Sequence, residues 1–126
     1  MTSVVAQITQ SLDGYVTGPD DGPGKGLGEG GERLHYWVFN GPWSYDETPQ
    51  WEASGVDKDV GIMCGADTIR QALAGGHVDE LVVTIAPVVL GGGKRLFEGF
   101  DRSIDLEQME ARQSNWATHL RYRVKK

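Results

Sequence analysis

The sequence is poor in cysteine and in long apolar runs, and each shortage excludes a class of protein. Cys64 is the only cysteine, so no disulfide can form within the chain, which fits a reducing compartment. No apolar run approaches the roughly 20 residues that a membrane-spanning helix needs, and no signal-peptide pattern precedes the first predicted strand. We therefore expect a cytoplasmic protein that does not cross a membrane.

Positive charge is also scarce. The chain has 12 Lys and Arg against 18 Asp and Glu, a formal net charge of −6, whereas a nucleic-acid partner favours a basic surface. Basic side chains cluster only in the last predicted strand, where their alternation with apolar residues predicts a solvated face: His119, Arg121, Arg123, Lys125 and Lys126. The three histidines share no metal-ligand spacing. We expect neither a nucleic-acid partner nor a metal site.

Glycine is the residue in excess, with 18 in 126 residues, a length that suits one domain over residues 1–126. Half of residues 18–31 are glycine, which predicts a flexible loop. The loop is either a lid that closes over a ligand or a tolerated surface insertion. It contains neither a dinucleotide-binding fingerprint nor a phosphate-binding loop motif.

Hydrophobic periodicity predicts an α/β chain. The predicted strands are residues 4–12, 59–64, 81–87, 104–113 and 118–125, and the predicted helices are residues 32–40 and 65–74. The strand, helix and strand between residues 59 and 87 form a βαβ unit, so these two strands should be parallel. The last two strands form a hairpin around Ser114 and Asn115.

Three short stretches carry residues suited to chemistry, each with a plain structural alternative. Asp13, at the end of the first strand, either contacts a ligand and shuttles a proton or closes an Asp-Gly turn. Residues 65–68 either bind an anion at a helix start or cap that helix through Asp67. Lys94 and Arg95, after three glycines, either bind an acidic substrate or are ordinary solvated charges.

Aromatic residues concentrate in one part of the chain: Tyr36, Trp37, Phe39, Trp43, Tyr45 and Trp51. They either line an apolar cleft or fill the core.

Taken together, five motifs resemble one family: SLDG at 11–14, GEGGERLH at 28–35, GADTIR at 65–70, VDEL at 78–81 and APVVLGGG at 86–93. The chain is similar, from residue 4 to residue 124, to the C-terminal reductase domain of bifunctional riboflavin-biosynthesis deaminase–reductases and to its small stand-alone relatives in the dihydrofolate-reductase-like superfamily. The resemblance implies a truncated dihydrofolate-reductase-like α/β fold, with a mixed sheet of about five strands and flanking helices.

The resemblance also implies NADPH-dependent reduction of a small heterocycle or carbonyl, and it assigns candidate residues by position. The candidate catalytic residues are Asp13, Glu32 and His35. The candidate substrate-binding residues are Tyr15, Tyr36, Phe39, Trp43, Lys94 and Arg95. The candidate cofactor-binding residues are Gly65, Ala66, Asp67, Thr68, Gly91 and Gly92.

The chain departs from the family pattern between the first predicted helix and Gly65, where it is much shorter. A Met-Gly-Arg-type motif and a later strand, which hold the cofactor's 2′-phosphate, ribose and adenine, have no counterpart. No cofactor is therefore certain, although NADPH is possible. We expect either a non-redox protein that binds or transforms a small organic molecule in the retained cleft, or a reductase with a rebuilt cofactor site.

The deletion also predicts self-association. In the family's fold it removes one side of the sheet, so the uncharged strand at residues 60–64 becomes an edge that invites pairing with another chain. We expect a homodimer through this edge or through residues 43–56.

Overall fold

The computed structural model describes residues 4–24, 26–45 and 66–125. In chain order the elements are β1 (Val5–Ser11), β2 (Tyr15–Thr17), a 3-10 helix (Gly31–His35), α1 (Ala66–Ala74), β3 (Glu80–Ala86), β4 (Lys94–Arg95), β5 (Leu106–Gln113) and β6 (Thr118–Val124). Within these ranges no helix is long and apolar enough to cross a membrane.

Four strands form the main sheet in the order β1-β3-β6-β5. The β1–β3 pair is parallel, whereas β3–β6 and β6–β5 are antiparallel. A second sheet pairs β2 with β4. The predicted mixed α/β architecture is confirmed. The predicted strand at residues 59–64 lies outside the described residues.

One face of the sheet packs against α1. Ala6 and Ile8 of β1 share this core with Leu81 and Val83 of β3. From α1, Ile69 and Leu73 are buried, as their helical spacing predicts. The helix ends at Ala74, and Gly76 follows with φ of 73°. Its last carbonyls accept hydrogen bonds from the N–H groups of residues 75–77, the arrangement that a C-terminal glycine favours.

The opposite face of the sheet lies beneath the 3-10 helix and the turns that follow it. Leu34 and Trp37 are fully buried there. Trp37 meets the ring of His119 edge-on at 4.9 Å, and Nδ1 of His119 lies 2.7 Å from Oγ1 of Thr84. The prediction that His119 belongs to a solvated face is therefore wrong. Its pairing with Thr84 across β3 and β6 places the imidazole on the covered face.

The predicted helix at residues 32–40 is also wrong in type and length. The 3-10 helix ends at His35 and is followed by turns, in which Val38 and Phe39 donate N–H to carbonyls three residues earlier. The run Tyr-Trp-Val-Phe at residues 36–39 contains aromatic and β-branched side chains, which have poor helix propensity. Asn40, with φ of 57°, then turns the chain away.

The C-terminal hairpin matches its prediction, with strands at residues 106–113 and 118–124. Arg121 holds Glu80 with two hydrogen bonds of 3.0 and 2.9 Å, which joins β6 to β3. The outer strand β5 is almost wholly exposed and carries a bulge between Gln108 and Glu110. Charged side chains and a bulge are features that keep an edge strand from pairing with other chains.

Candidate functional site

The carboxyl ends of β1 and β3 meet at one edge of the main sheet, since Ser11 pairs with Ala86. Ligands in α/β proteins bind at such an edge. Beyond it, the β1–β2 turn lies against the segment of residues 87–93, and Leu12 donates its N–H to the carbonyl of Val88 at 2.8 Å. The two stretches that the sequence singled out therefore lie side by side.

Asp13 joins these two stretches. Its Oδ1 accepts the hydroxyl of Ser11 at 2.5 Å and the N–H of Leu90 at 3.1 Å, and its Oδ2 accepts the N–H of Gly91 at 2.8 Å. Ser11, which is fully buried, also accepts the N–H of Tyr15 at 2.9 Å. Sequence reasoning missed Ser11, although it is part of the same SLDG motif.

These hydrogen bonds define the charge of Asp13. The Ser11 hydroxyl, followed by the N–H groups of Gly91 and Leu90, lowers the pKa of the carboxyl to about 2 against an opposing effect of burial. Asp13 is therefore a carboxylate at neutral pH and a poor proton donor. A catalytic role for it remains a prediction.

Lys94 and Arg95 are held on the outer side of this edge. In the β2–β4 pair, Tyr15 faces Arg95 and Thr17 faces Lys94. Arg95 donates to the Tyr15 hydroxyl at 3.1 Å, and its guanidinium carbon lies 4.9 Å from the ring centroid. Lys94 pairs with Asp21 of the glycine-rich loop at 3.0 Å. Both predicted cations are exposed but have partners within the chain.

The glycine-rich loop of residues 18–31 is closed at its neck by main-chain bonds. Gly18 donates its N–H to Leu27, and Glu29 donates to Pro19, each at 2.7 Å. The hydroxyl of Tyr45 accepts the N–H of Leu27 at 3.1 Å and donates to the carbonyl of Gly28 at 2.8 Å. The neck is thus more ordered than the glycine content indicates, and movement of the tip stays a prediction.

The predicted aromatic cluster divides into separate groups. Phe39, Trp43 and Tyr45 form a chain of edge-to-face contacts, each with ring centroids 5.4 Å apart, and this chain supports the loop neck. Tyr36 instead meets Trp116 at 6.3 Å. The indole N–H of Trp116 donates to Asn40 at 3.1 Å. Trp116, in the hairpin turn, carried no sequence signal of its own.

The remaining catalytic candidates lie on the 3-10 helix, which packs against β1, β2 and β3. Burial lowers the pKa of His35 to about 4, so its imidazole is neutral at physiological pH. Burial also raises the pKa of Tyr45, and the nearby charge of Glu32 adds to this effect. The structure thus places Glu32 and His35 on the helix that covers one face of the sheet, without giving either a defined proton-transfer partner among the described residues, and their catalytic roles stay predictions.

The cofactor candidates are only partly described. Gly65 lies outside the described residues, and Ala66, Asp67 and Thr68 form the first turn of α1. The N–H of Gly91 is already donated to Asp13, and Gly92 lies beside Pro19. Their cofactor roles stay predictions.

A groove lies away from the candidate site. It is an apolar groove of about 320 Å³, lined by Leu73, Leu81, Phe97, Phe100, Arg102, Ile104 and Leu106. It contains none of the predicted site residues. In the described part of the chain, no three His, Cys, Asp or Glu side chains gather in a way that would hold a metal ion.

Comparison with known proteins shows the family of the chain. The family model of the RibD C-terminal domain matches residues 53–120. The chain belongs to the RibD C-terminal domain family. This family is a riboflavin-biosynthesis reductase-like domain, so the resemblance read from the motifs is confirmed. No curated protein sequence matches the chain significantly.

Solved structures share the fold at low sequence identity. A riboflavin biosynthesis protein from Shewanella sp. PV-4 is 19% identical with a TM-score of 0.59, covering 99% of this chain and 100% of its own. The riboflavin biosynthesis reductase Rib7 of Saccharomyces cerevisiae is 16% identical with a TM-score of 0.56, covering 98% and 89%.

A third structure is the Thermotoga maritima diaminohydroxyphosphoribosylaminopyrimidine deaminase/5-amino-6-(5-phosphoribosylamino)uracil reductase. It is 10% identical with a TM-score of 0.60, and 98% of this chain matches 56% of that enzyme. The present chain therefore spans little more than half of the bifunctional protein.

Proposed function

We propose that this domain binds, or transforms without hydride transfer, a small anionic organic molecule at the carboxyl ends of β1 and β3. The observation that carries the proposal is the contact of the exposed Arg95 with Tyr15 beside the Asp13 turn, with Lys94 next to Arg95 in β4. An exposed guanidinium at an aromatic ring, with a second cation beside it in the chain, suits a planar ligand that carries a negative group. Asp13, Glu32 and His35 stay candidates for its chemistry.

The cofactor side supports the non-redox form of the proposal. The sequence between residues 41 and 65 contains no Gly-Arg element. A basic side chain on a phosphate makes charge-assisted hydrogen bonds, which contribute about 1.5–3 kcal/mol each. Without them we expect NADPH to bind poorly.

A reductase with a rebuilt cofactor site is the alternative. Membership of a reductase family and a fold match to a reductase over 98% of this chain favour it. Nicotinamide fluorescence on titration with NADPH separates the two: low-micromolar affinity would establish the reductase and exclude the non-redox form.

The ligand side is tested with 5-amino-6-(5-phosphoribosylamino)uracil, the substrate in the name of the Thermotoga relative. We expect calorimetry to detect binding, and Lys94→Met to weaken it by about three- to tenfold because Lys94 is exposed. Lys125→Met, in a basic residue beyond β6, is the control and should bind as the wild type does. No heat with the wild-type protein would contradict the proposal.

Two further expectations belong to the same proposal. The tip of the 18–31 loop closes over the bound ligand, which hydrogen exchange with and without the uracil derivative would detect.

The chain forms a homodimer through residues 60–64 or 43–56. The absence of charge in residues 60–64 supports this, and a monomer at high micromolar concentration in light scattering would contradict it.

A further inference from the structure

Most of the hydrogen-bonding capacity of Asp13 is used within the chain. It accepts the Ser11 hydroxyl and the N–H groups of Leu90 and Gly91. An ionised carboxylate offers about four acceptor positions, so three of them hold the fold of the site.

The donors come from both sides of the candidate site. Ser11 belongs to β1, whereas Leu90 and Gly91 belong to the segment that follows β3. Gly91 has φ of 77° and Gly93 has φ of 126°, conformations that glycine adopts at little cost. Because glycine allows many other conformations equally well, the shape of this turn depends on what holds it. The Asp13 carboxylate holds the start of this turn through the N–H groups of Leu90 and Gly91.

We propose that Ser11 and Asp13 are positioning residues, which set the glycine turn and the side chains after it from the end of β1. Ser11 orients the carboxylate, and Asp13 fixes the amides of Leu90 and Gly91. The glycine turn leads into β4, where Lys94 and Arg95 pair with β2. The residue that the motif marks as a proton shuttle thus shapes the site through the glycine turn. This inference rests on the proposed function only for its consequence on binding.

The test begins with the ligand-free protein at neutral pH. Asp13→Asn keeps the shape of the side chain, but its NH₂ group faces a backbone N–H where the carboxylate accepted one. We expect the NMR amide signals of Leu90 and Gly91 to shift upfield, and hydrogen exchange at Gly91 to accelerate by about tenfold or more. Ser11→Ala should move the same two signals in the same direction, by less.

Ser114→Ala is the matched control. The Ser11 hydroxyl accepts one backbone N–H group, that of Tyr15, and the Ser114 hydroxyl accepts two, those of Trp116 and Ala117. Ser114→Ala should destabilise the protein similarly to Ser11→Ala and leave Leu90 and Gly91 unchanged. Amide signals of Leu90 and Gly91 that stay in place in both Asp13→Asn and Ser11→Ala would overturn the proposal. If Asp13→Asn fails to fold, Ser11→Ala decides it alone.

Binding of the uracil derivative supplies the second readout. We expect Asp13→Asn and Ser11→Ala to weaken its affinity, the first by about tenfold, while the pH profile of affinity keeps its wild-type shape. A changed profile with unshifted amides would assign proton transfer to Asp13 and overturn the proposal. A wild-type protein that binds no ligand, with amides that respond as expected, refutes the proposed function alone.

Discussion

The two glycine-rich stretches of this protein have similar composition but are restrained by different chemistry. The turn at residues 91–93 is held by an ionised carboxylate, Asp13, through charge-assisted hydrogen bonds. The loop at residues 18–31 is held at its neck by main-chain bonds and by the neutral hydroxyl of Tyr45. Glycine content alone therefore does not predict which segment is ordered, because the partners lie far away in sequence.

The largest expected loss of stability comes from adding a Cβ atom to a closely packed glycine in either stretch. An added Cβ would fall 2.2 Å from the Gly18 carbonyl oxygen at Gly28 and 1.9 Å from the Thr17 carbonyl oxygen at Gly93. Because both glycines also have positive φ, we expect Gly28→Ala and Gly93→Ala each to lower the free energy of unfolding by about 2–5 kcal/mol. Urea denaturation measures this loss.

Gly24→Ala is the control for backbone strain alone. Gly24 has φ of 78°, but no atom lies within 4 Å of an added Cβ. We expect a loss of about 1–2 kcal/mol. Equal losses at Gly24 and Gly28 would show that the loop neck is not closely packed in solution.

Acid should destabilise the protein in two separate pH windows, and the higher one belongs to His35 of the 3-10 helix. An unfolded His35 takes up a proton near pH 6.5, whereas the folded group does so near pH 4. The unfolded state therefore binds more protons between these values, and stability falls as the pH drops from about 6.5 to 4, by about 2–3 kcal/mol. His35→Gln should remove this loss in urea denaturation at pH 7, 5.5 and 4.5.

Asp13 responds in a lower window. Its pKa is about 2 when folded and 3.8 ordinarily, so the stability that it contributes is complete above pH 4 and is lost as the pH falls towards 2. Hydrogen exchange should accelerate at Gly91 in this window before it does at Gly18. Loosening of both amides together would mean that acid unfolds the whole site at once.

The sequence predicted the parts of this architecture that depend on local pattern. The strands of the main sheet and α1 appear within two residues of their predicted bounds at the ends that the structure describes. For β1, β3, β6 and α1 the apolar periodicity matches what they bury, whereas the exposed β5 follows from the hairpin turn that joins it to β6. The burial of the sheet face beneath the 3-10 helix was not predictable, because this face holds the polar residues Thr84 and His119. Nor was the Asp13 bond to Gly91, which joins residues 78 positions apart.

A smaller effect is expected at the loop neck. Tyr45→Phe removes one hydroxyl that accepts from Leu27 and donates to Gly28, and it keeps the ring against Trp43. We expect the free energy of unfolding to fall by about 1–2 kcal/mol. Hydrogen exchange should accelerate at Leu27 and stay unchanged at Gly91; acceleration at both amides would show that the two restraints are one unit.

The smallest effect is expected where the loop tip meets the turn, at the pair of Asp21 and Lys94. The Lys94 side chain is 64% exposed and that of Asp21 is 28% exposed, and exposed ion pairs contribute little because water and salt screen them. We expect Asp21→Asn to lower the free energy of unfolding by at most about 0.5 kcal/mol, and the difference to vanish at 1 M salt. Asp101→Asn removes another exposed pair, with Arg102 at 3.4 Å, and is the matched control. Hydrogen exchange should accelerate at the loop tip in the first variant and in neither variant at Gly91. A loss above about 2 kcal/mol for Asp21→Asn would mean that the tip is anchored as firmly as the turn, and a firmly anchored tip could not open to admit a ligand.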